Sequence, residues 1–426
     1  MNSNNNSVVG LVCLNCGSTY DLEPIFNGCP ICRTDSFRSN LTVQYDYDKL
    51  KKIISRQSFS NNRPGIWRFS DLLPIIDSSH FLSIGEGNTP FVPLPRVSKE
   101  AKIKHVFAKN EICNPTLSYK DRFCAVATAK ALDFGAKATT AASTGNLGAS
   151  SAAYASRAGL DCFLFTVTYT SESMRTLMGV YGAKLVATKV LEDRWTLMKE
   201  GIERYGWYSM GSYTIPPTGN PYGVEGYKTI SFEIAEQMEW KVPDLVIVPT
   251  AFAEGLFGCW KGFKEAKYLG LTESLPRMIA AMPEGCDPLR VAIEQKLDKL
   301  PILEKKDTIA ISIGTYTTGH QGLVALQESN GGAVSVSDDE ILTAQRILSM
   351  DGIFAEPASA ASVAAVIKLG RLEKITPEAS VVCVITSSGL KMLDAAQSYI
   401  PKFPVIDSGD FEVYKKQIQS AYNIRI

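Results

Sequence analysis

The chain has 426 residues, 45% of them hydrophobic and 21% charged, with Lys plus Arg equal to Asp plus Glu at 44 each. That length exceeds one ordinary domain and is enough for a substantial core. The balanced charge gives no pull toward nucleic acid or an anionic membrane surface, and no apolar run approaches the roughly 20 residues of a spanning helix.

In chain order, Met1 to Asn6 is polar and lacks the charged and apolar regions of a signal peptide. It reads as a frayed tail on a cytoplasmic protein with reduced thiols. Four of the ten cysteines then form Cys13-x-x-Cys16 and Cys29-x-x-Cys32. Two such knuckles place four thiolates around one tetrahedral metal, so residues 9–40 read as a zinc ribbon. Four free thiols in a subdomain that has lost its metal is the bland alternative. A redox dithiol lacks a thioredoxin-like context. The other six cysteines lie in apolar stretches and read as core, although Cys113 and Cys124 flank a loop of interest. A polar stretch from Arg56 to Arg63 follows the ribbon. From about residue 105, strand-like and helix-like runs alternate, which implies a mostly parallel sheet covered by helices on both faces.

The loop of interest is Asn114-Pro-Thr-Leu-Ser-Tyr-Lys-Asp-Arg122, ahead of a helix-like run from Phe123 to Leu132. A lysine held in a partly dry cleft loses its proton and forms a Schiff base, whereas most lysines at a helix start are solvated. Next comes the strand-like Lys137 to Ala142, the loop Ser143-Thr-Gly-Asn-Leu-Gly148, and small residues at helical spacing up to Gly159. Helix-start amides and two hydroxyls make a donor set for a carboxylate; an ordinary capped turn is the alternative. The apolar Leu245 to Val248 runs into Pro249-Thr-Ala-Phe-Ala-Glu-Gly255 and a helix, the arrangement in which α/β proteins hold phosphates. A last buried-strand pattern, from Val381, ends in Thr386-Ser-Ser-Gly-Leu-Lys391 and sets hydroxyls at a strand's C-terminal edge. His80, His105 and His320 sit in no motif, which argues against a Ser-His or His-metal enzyme.

Together and in this order, these segments resemble the threonine synthases, within the fold type II pyridoxal-phosphate (PLP) enzymes. The likeness runs from about residue 83 to residue 395, through Gly85-Glu-Gly-Asn-Thr-Pro90, Lys120-Asp-Arg122, Thr144-Gly-Asn146, Tyr181-Gly-Ala-Lys184, Asn220-Pro-Tyr222, Trp260-Lys-Gly-Phe263, Glu356-Pro-Ala-Ser-Ala360 and Gly389-Leu-Lys391. The resemblance implies an α/β fold like the β subunit of tryptophan synthase, with two domains and the cofactor in the cleft between them. It implies Lys120 as the Schiff-base lysine and Asn146 as partner of the cofactor's phenolic oxygen. Ser143, Thr144 and Gly145 would clamp the substrate carboxylate. Thr250, Ala251, Phe252, Ala253, Glu254 and Gly255 would cradle the cofactor phosphate, and Thr386 would face the pyridine nitrogen. Zinc is expected at Cys13, Cys16, Cys29 and Cys32. The expected domains are 9–40 (ribbon), 41–104 (extension), 105–121 with 231–400 (large domain), 122–230 (small domain) and 401–426 (tail). A small amino-acid substrate and a homodimer complete the expectation, with no nucleic acid and no membrane.

The sequence departs from the family where the substrate phosphate binds. The family uses a hydroxyl after the loop asparagine, an arginine after Asn-Pro-His/Tyr, a polar pair before that motif and an asparagine in the glycine-rich loop. Here these read Leu147, Gly223, Pro217-Thr218 and Ala251-Phe-Ala-Glu254, while Leu117 replaces a glycine and is expected to narrow the cleft. Arginine grips phosphate with a planar fork that glycine cannot replace. Three readings follow. One is a PLP lyase or replacement enzyme of threonine-synthase type acting on an amino acid with a β or γ leaving group, and not on O-phosphohomoserine. A second is an authentic threonine synthase with a rebuilt pocket. The third is a non-catalytic binding protein on the same fold.

Overall fold

The computed structural model describes residues 7–61, 63–400, 403–405 and 409–425, so the expected frayed start at residues 1–6 lies outside it. It divides into two units, Met1–Lys391 and Met392–Ile426. Among the described residues the second unit holds two helices, Asp394–Gln397 and Phe411–Tyr422.

The first unit begins with an antiparallel sheet of β1 (Val8–Cys13), β2 (Thr19–Tyr20) and β3 (Leu41–Tyr45), in the order β2-β1-β3. After β4 (Phe91–Pro93) and β5 (His105–Asn110) comes helix α1 (Lys120–Asp133). A second sheet follows, built from β6 (Ala138–Ala142), helix α2 (Asn146–Arg157), β7 (Asp161–Val167), β8 (Lys184–Thr188), helix α3 (Asp193–Tyr205) and β9 (Tyr208–Ser209). Its order is β8-β7-β6-β9, parallel throughout.

Helix α4 (Pro221–Gln237) leads to β10 (Leu245–Pro249), helix α5 (Glu254–Tyr268), β11 (Arg277–Pro283), β12 (Gly332–Val336), helix α6 (Pro357–Arg371) and β13 (Ser380–Ile385). These strands join β5 and β4 in a six-stranded sheet, β12-β11-β10-β13-β5-β4, parallel except for the edge strand β4. A parallel sheet with helices on both faces demands strands apolar on both sides. Accordingly Leu245 and Ile247 enter one core cluster while Val246 and Val248 enter the other. Helix α4 packs against both α1 and α5. The approach of α4 to α1 is close enough that a Cβ on Gly226 would overlap the Arg122 backbone.

Among the described residues no helix is long and apolar enough to cross a membrane.

Candidate active site

Lys120 opens α1, and its neighbours on either side are pinned. The Tyr119 N–H donates to the Thr386 carbonyl at 2.8 Å, and Ser118 bridges to Ser387, so the lysine loop is tied to the loop after β13. Asp121 accepts from the Thr116 N–H (2.7 Å), the Thr116 hydroxyl (2.6 Å) and the Ser150 hydroxyl (2.6 Å). Arg122 is fully buried, with Nε 2.7 Å from Glu111 and Nη2 2.7 Å from Glu233, which Lys109 Nζ also reaches at 2.7 Å. Burial alone would raise the Glu233 pKa, but the charges of Arg122 and Lys109 hold it far below the usual carboxylate range. With Asp121 and Arg122 committed to buried partners, Lys120 is the side chain of this triplet that lines the cavity.

That cavity, of about 640 Å³, lies in the first unit at the C-terminal ends of β6, β10 and β13. This is where open α/β sheets bind ligands. Lys120, Ser143, Thr144, Gly145, Asn146, the run Thr250 to Gly255, and Thr386 all line it. The Ser143 hydroxyl oxygen accepts from the N–H groups of Gly145 (3.2 Å) and Gly148 (3.0 Å), which shapes the turn into α2. The Thr386 hydroxyl lies 2.7 Å from that of Ser359. Helix α5 begins after Ala253, a left-handed residue (φ 64°) with no side-chain cap, so its first amides have no intrahelical acceptor.

Several residues here were not picked out from sequence as site groups. The Asn146 amide donates to Glu356 at 3.1 Å, and its Oδ1 accepts from Lys391 Nζ (2.7 Å) and the Ser387 hydroxyl (3.0 Å). Burial lowers the Lys391 pKa to about 8, against the opposing pull of Glu356 and Asp121. Glu356 and Lys391 stood inside the matched motifs, and that was the signal available. Arg194, in the first turn of α3, also lines the cavity; it is buried, and its Nε donates to the Leu191 carbonyl at 3.0 Å. No motif announced it.

Some expectations fail. Leu117 does not line the cavity and so does not narrow it; it sits at φ 60°, which is why glycine suits that position. Cys113 is exposed rather than core, whereas Cys124 is buried as expected, and neither lines the cavity. Of the substituted phosphate positions, Leu147 and Glu254 line the cavity, whereas Gly223, Pro217 and Thr218 do not. A Cβ on Gly223 would meet the Phe123 ring at 2.6 Å, and the Thr218 hydroxyl is spent on the Phe26 carbonyl at 2.6 Å.

None of Cys13, Cys16, Cys29 and Cys32 lines this cavity, and their sulfurs lie within 4.8 Å of one another. The Cys13–Cys32 and Cys16–Cys29 separations are 3.7 and 3.8 Å. A tetrahedral zinc with sulfurs at about 2.3 Å requires sulfur–sulfur edges of about 3.8 Å, so the cluster fits that metal.

The donor set in the cavity also fits PLP: a lysine amine, a side-chain amide, a hydroxyl after a buried strand, and free amides at a helix N-terminus. Comparison with known proteins agrees. Residues 82–387 match the family described as pyridoxal-phosphate dependent enzyme. A threonine synthase of Methanocaldococcus jannaschii is 36% identical over 389 residues, 90% of this chain and 93% of that one. The chain belongs to the threonine synthase family. A second member, from Methanosarcina acetivorans, is 36% identical over 388 residues, 89% of this chain and 92% of its own. Among solved structures, maize serine racemase superposes with a TM-score of 0.63 at 20% identity, covering 73% of this chain and 91% of its own. A threonine deaminase from Solanum lycopersicum gives 0.63 at 20% identity, covering 73% and 88%. These two establish the fold as type II, and family membership makes this chain a PLP-dependent enzyme, not a binding protein on a borrowed scaffold.

Proposed function

We propose that this threonine synthase relative catalyses elimination or replacement on an amino acid carrying a leaving group at its β or γ carbon. The observation that carries the reading is the meeting of Lys120, Asn146, Thr386 and the α5 N-terminus in one cavity. PLP, when bound, supplies an electron sink at the substrate's α carbon. The chain does the rest. Ser143, Thr144 and the Gly145 amide hold the substrate carboxylate at the start of α2, where the helix end favours negative charge. Lys120 takes the α proton. The Asn146 amide, fixed by Glu356, Lys391 and Ser387, serves the cofactor's phenolic oxygen. Thr386 faces the ring nitrogen with a neutral hydroxyl, which does not enforce ring protonation and suits elimination. The α5 amides with Gly255 take the cofactor phosphate.

Exchange of the substrate α proton in deuterium oxide, followed by NMR, tests this directly. Turnover of any amino acid without that exchange contradicts it.

In this reading O-phosphohomoserine is not the substrate. Leu147 offers no hydrogen bond, Glu254 brings a carboxyl group, and no side chain at 223 enters the cavity without displacing Phe123. Leu147 and Phe252 offer apolar contact to a smaller side chain. A second reading, hydrolysis of O-phosphohomoserine to threonine, is favoured by Arg194 on the cavity wall and by the activity named for the curated relatives. Steady-state kinetics separate the two: kcat/KM of about 10⁴ M⁻¹s⁻¹ or more with O-phosphohomoserine establishes the second.

The cysteine cluster, in the same proposal, holds one structural zinc. Metal analysis of protein purified without chelators should give one equivalent, and substoichiometric zinc overturns the assignment.

A further inference from the structure

Glu254 stands where it has no evident structural task. It is the first residue of α5, it lines the cavity, and only 7% of it is exposed. One carboxyl oxygen, Oε2, lies 3.9 Å from Lys120 Nζ. The other, Oε1, is buried with no hydrogen-bond partner. Opposite it is Gly219, at φ 69°, where a Cβ would overlap Oε1, so that loop leaves room for the carboxyl group. A buried acceptor left unpaired is costly, and as a carboxylate considerably more so.

The titratable groups facing this carboxyl are Lys120, Tyr119 and Tyr227. Tyr227 is buried and Tyr119 partly so, and desolvation holds both phenols above their usual range, so they stay neutral. Burial pushes the Glu254 pKa up and Lys120 pulls it back, with a net rise. No donor reaches Oε1, so Lys120 alone opposes that rise.

We propose that Glu254 is the general acid of this site, protonating the oxygen that leaves the substrate's β carbon, and that the substrate is accordingly a β-hydroxy amino acid. This rests on the elimination reading above. The proton accounting closes within the pair. Lys120 takes the α proton, and the Cα–H electron pair becomes the Cα–Cβ π bond. The Cβ–O bond breaks with its pair on oxygen, the Glu254 proton goes to that oxygen, and water departs. Lys120, now an ammonium 3.9 Å from the new carboxylate, returns the proton to Glu254. A phosphate ester needs no such acid, because its leaving group departs as a stabilised anion.

The test uses the holoenzyme and its Glu254→Gln variant with two probes, L-serine and β-chloro-L-alanine. Hydroxide must be protonated as it leaves, whereas chloride need not be. Loss of a general acid is worth about 100-fold or more, so kcat/KM for serine should fall at least about 30-fold further than for the chloride. Equal losses overturn the proposal and make Glu254 a packing or cofactor-phosphate contact. Wild-type turnover of the chloride without turnover of serine or threonine overturns it as well. If the wild type exchanges no α proton with any of these, the elimination reading fails, and infrared spectroscopy still decides the state of Glu254. A protonated-carboxyl stretch lost in the variant is expected, and its absence from the wild type overturns the proposal. Unchanged circular dichroism and cofactor absorbance in the variant show that it has folded and loaded.

Discussion

Two walls of the cavity are built on opposite principles. On the Lys120 wall each charged neighbour is matched: Asp121 accepts three hydrogen bonds, Arg122 pairs with both Glu111 and Glu233, and Lys109 also reaches Glu233, all of them buried. On the α5 wall a carboxyl oxygen is buried unpaired, and the helix starts from a left-handed alanine with no cap. Saturated bonding fixes where a nucleophile sits. An unsaturated group keeps its chemistry available. The contrast shows how one chain makes a rigid frame and a reactive edge from the same kinds of residue.

The severest way to break the comparison is Lys120→Ala. It should abolish the yellow absorbance and the covalent fixation of PLP by borohydride while leaving the fold intact, because the neighbours and not Lys120 hold the loop. A variant that retains a covalent cofactor adduct removes Lys120 from its role. Next is Arg122→Met, which strands Glu111 and Glu233 without their guanidinium. Breaking a buried pair from one side costs about 3–5 kcal/mol, readable as a lower urea midpoint; a loss under 1 kcal/mol would mean the frame does not depend on this network. The sign of the pH dependence follows. Glu233 is depressed in the folded state, so its contribution is present above the unfolded carboxylate pKa of about 4.3 and drains away as pH falls below it. The smallest effect concerns Lys391. Its ammonium should lose its proton near pH 8 and loosen Asn146, shifting the holoenzyme absorbance across that range. Lys391→Met should remove this titration, and a shift that survives in the variant assigns it elsewhere.

How much of this was legible in the sequence depended on chain distance. The Cys-x-x-Cys pairs, the strand–loop–helix segments and Lys120 are local patterns; the resemblance carried by their order implies one site for Lys120 and the loops, and these line one cavity, while the cysteines do not. The partners of Asn146 come from 210 and 245 residues away, and no spacing rule connects them. A motif says that glycine stands at position 223, not which way the helix turns it; here it turns toward Phe123. At Leu117 the side chain suggests bulk, whereas the backbone angle is the informative property. Cys113 lies in a run that reads as apolar, yet the short turn Glu111–Cys113 brings it to the surface.

The residue just ahead of β3 makes a contact with a kinetic consequence. The Asn40 amide donates to the Thr218 carbonyl, 178 residues on, and accepts from the Gln321 N–H, 281 residues on. Closing loops of that length is entropically expensive and is rewarded only when both far partners are already in place. Asn40 therefore contributes little while the chain searches for its fold and a great deal once both partner segments are in place. It acts late, as a latch, and removing its side chain should speed unfolding far more than it slows folding.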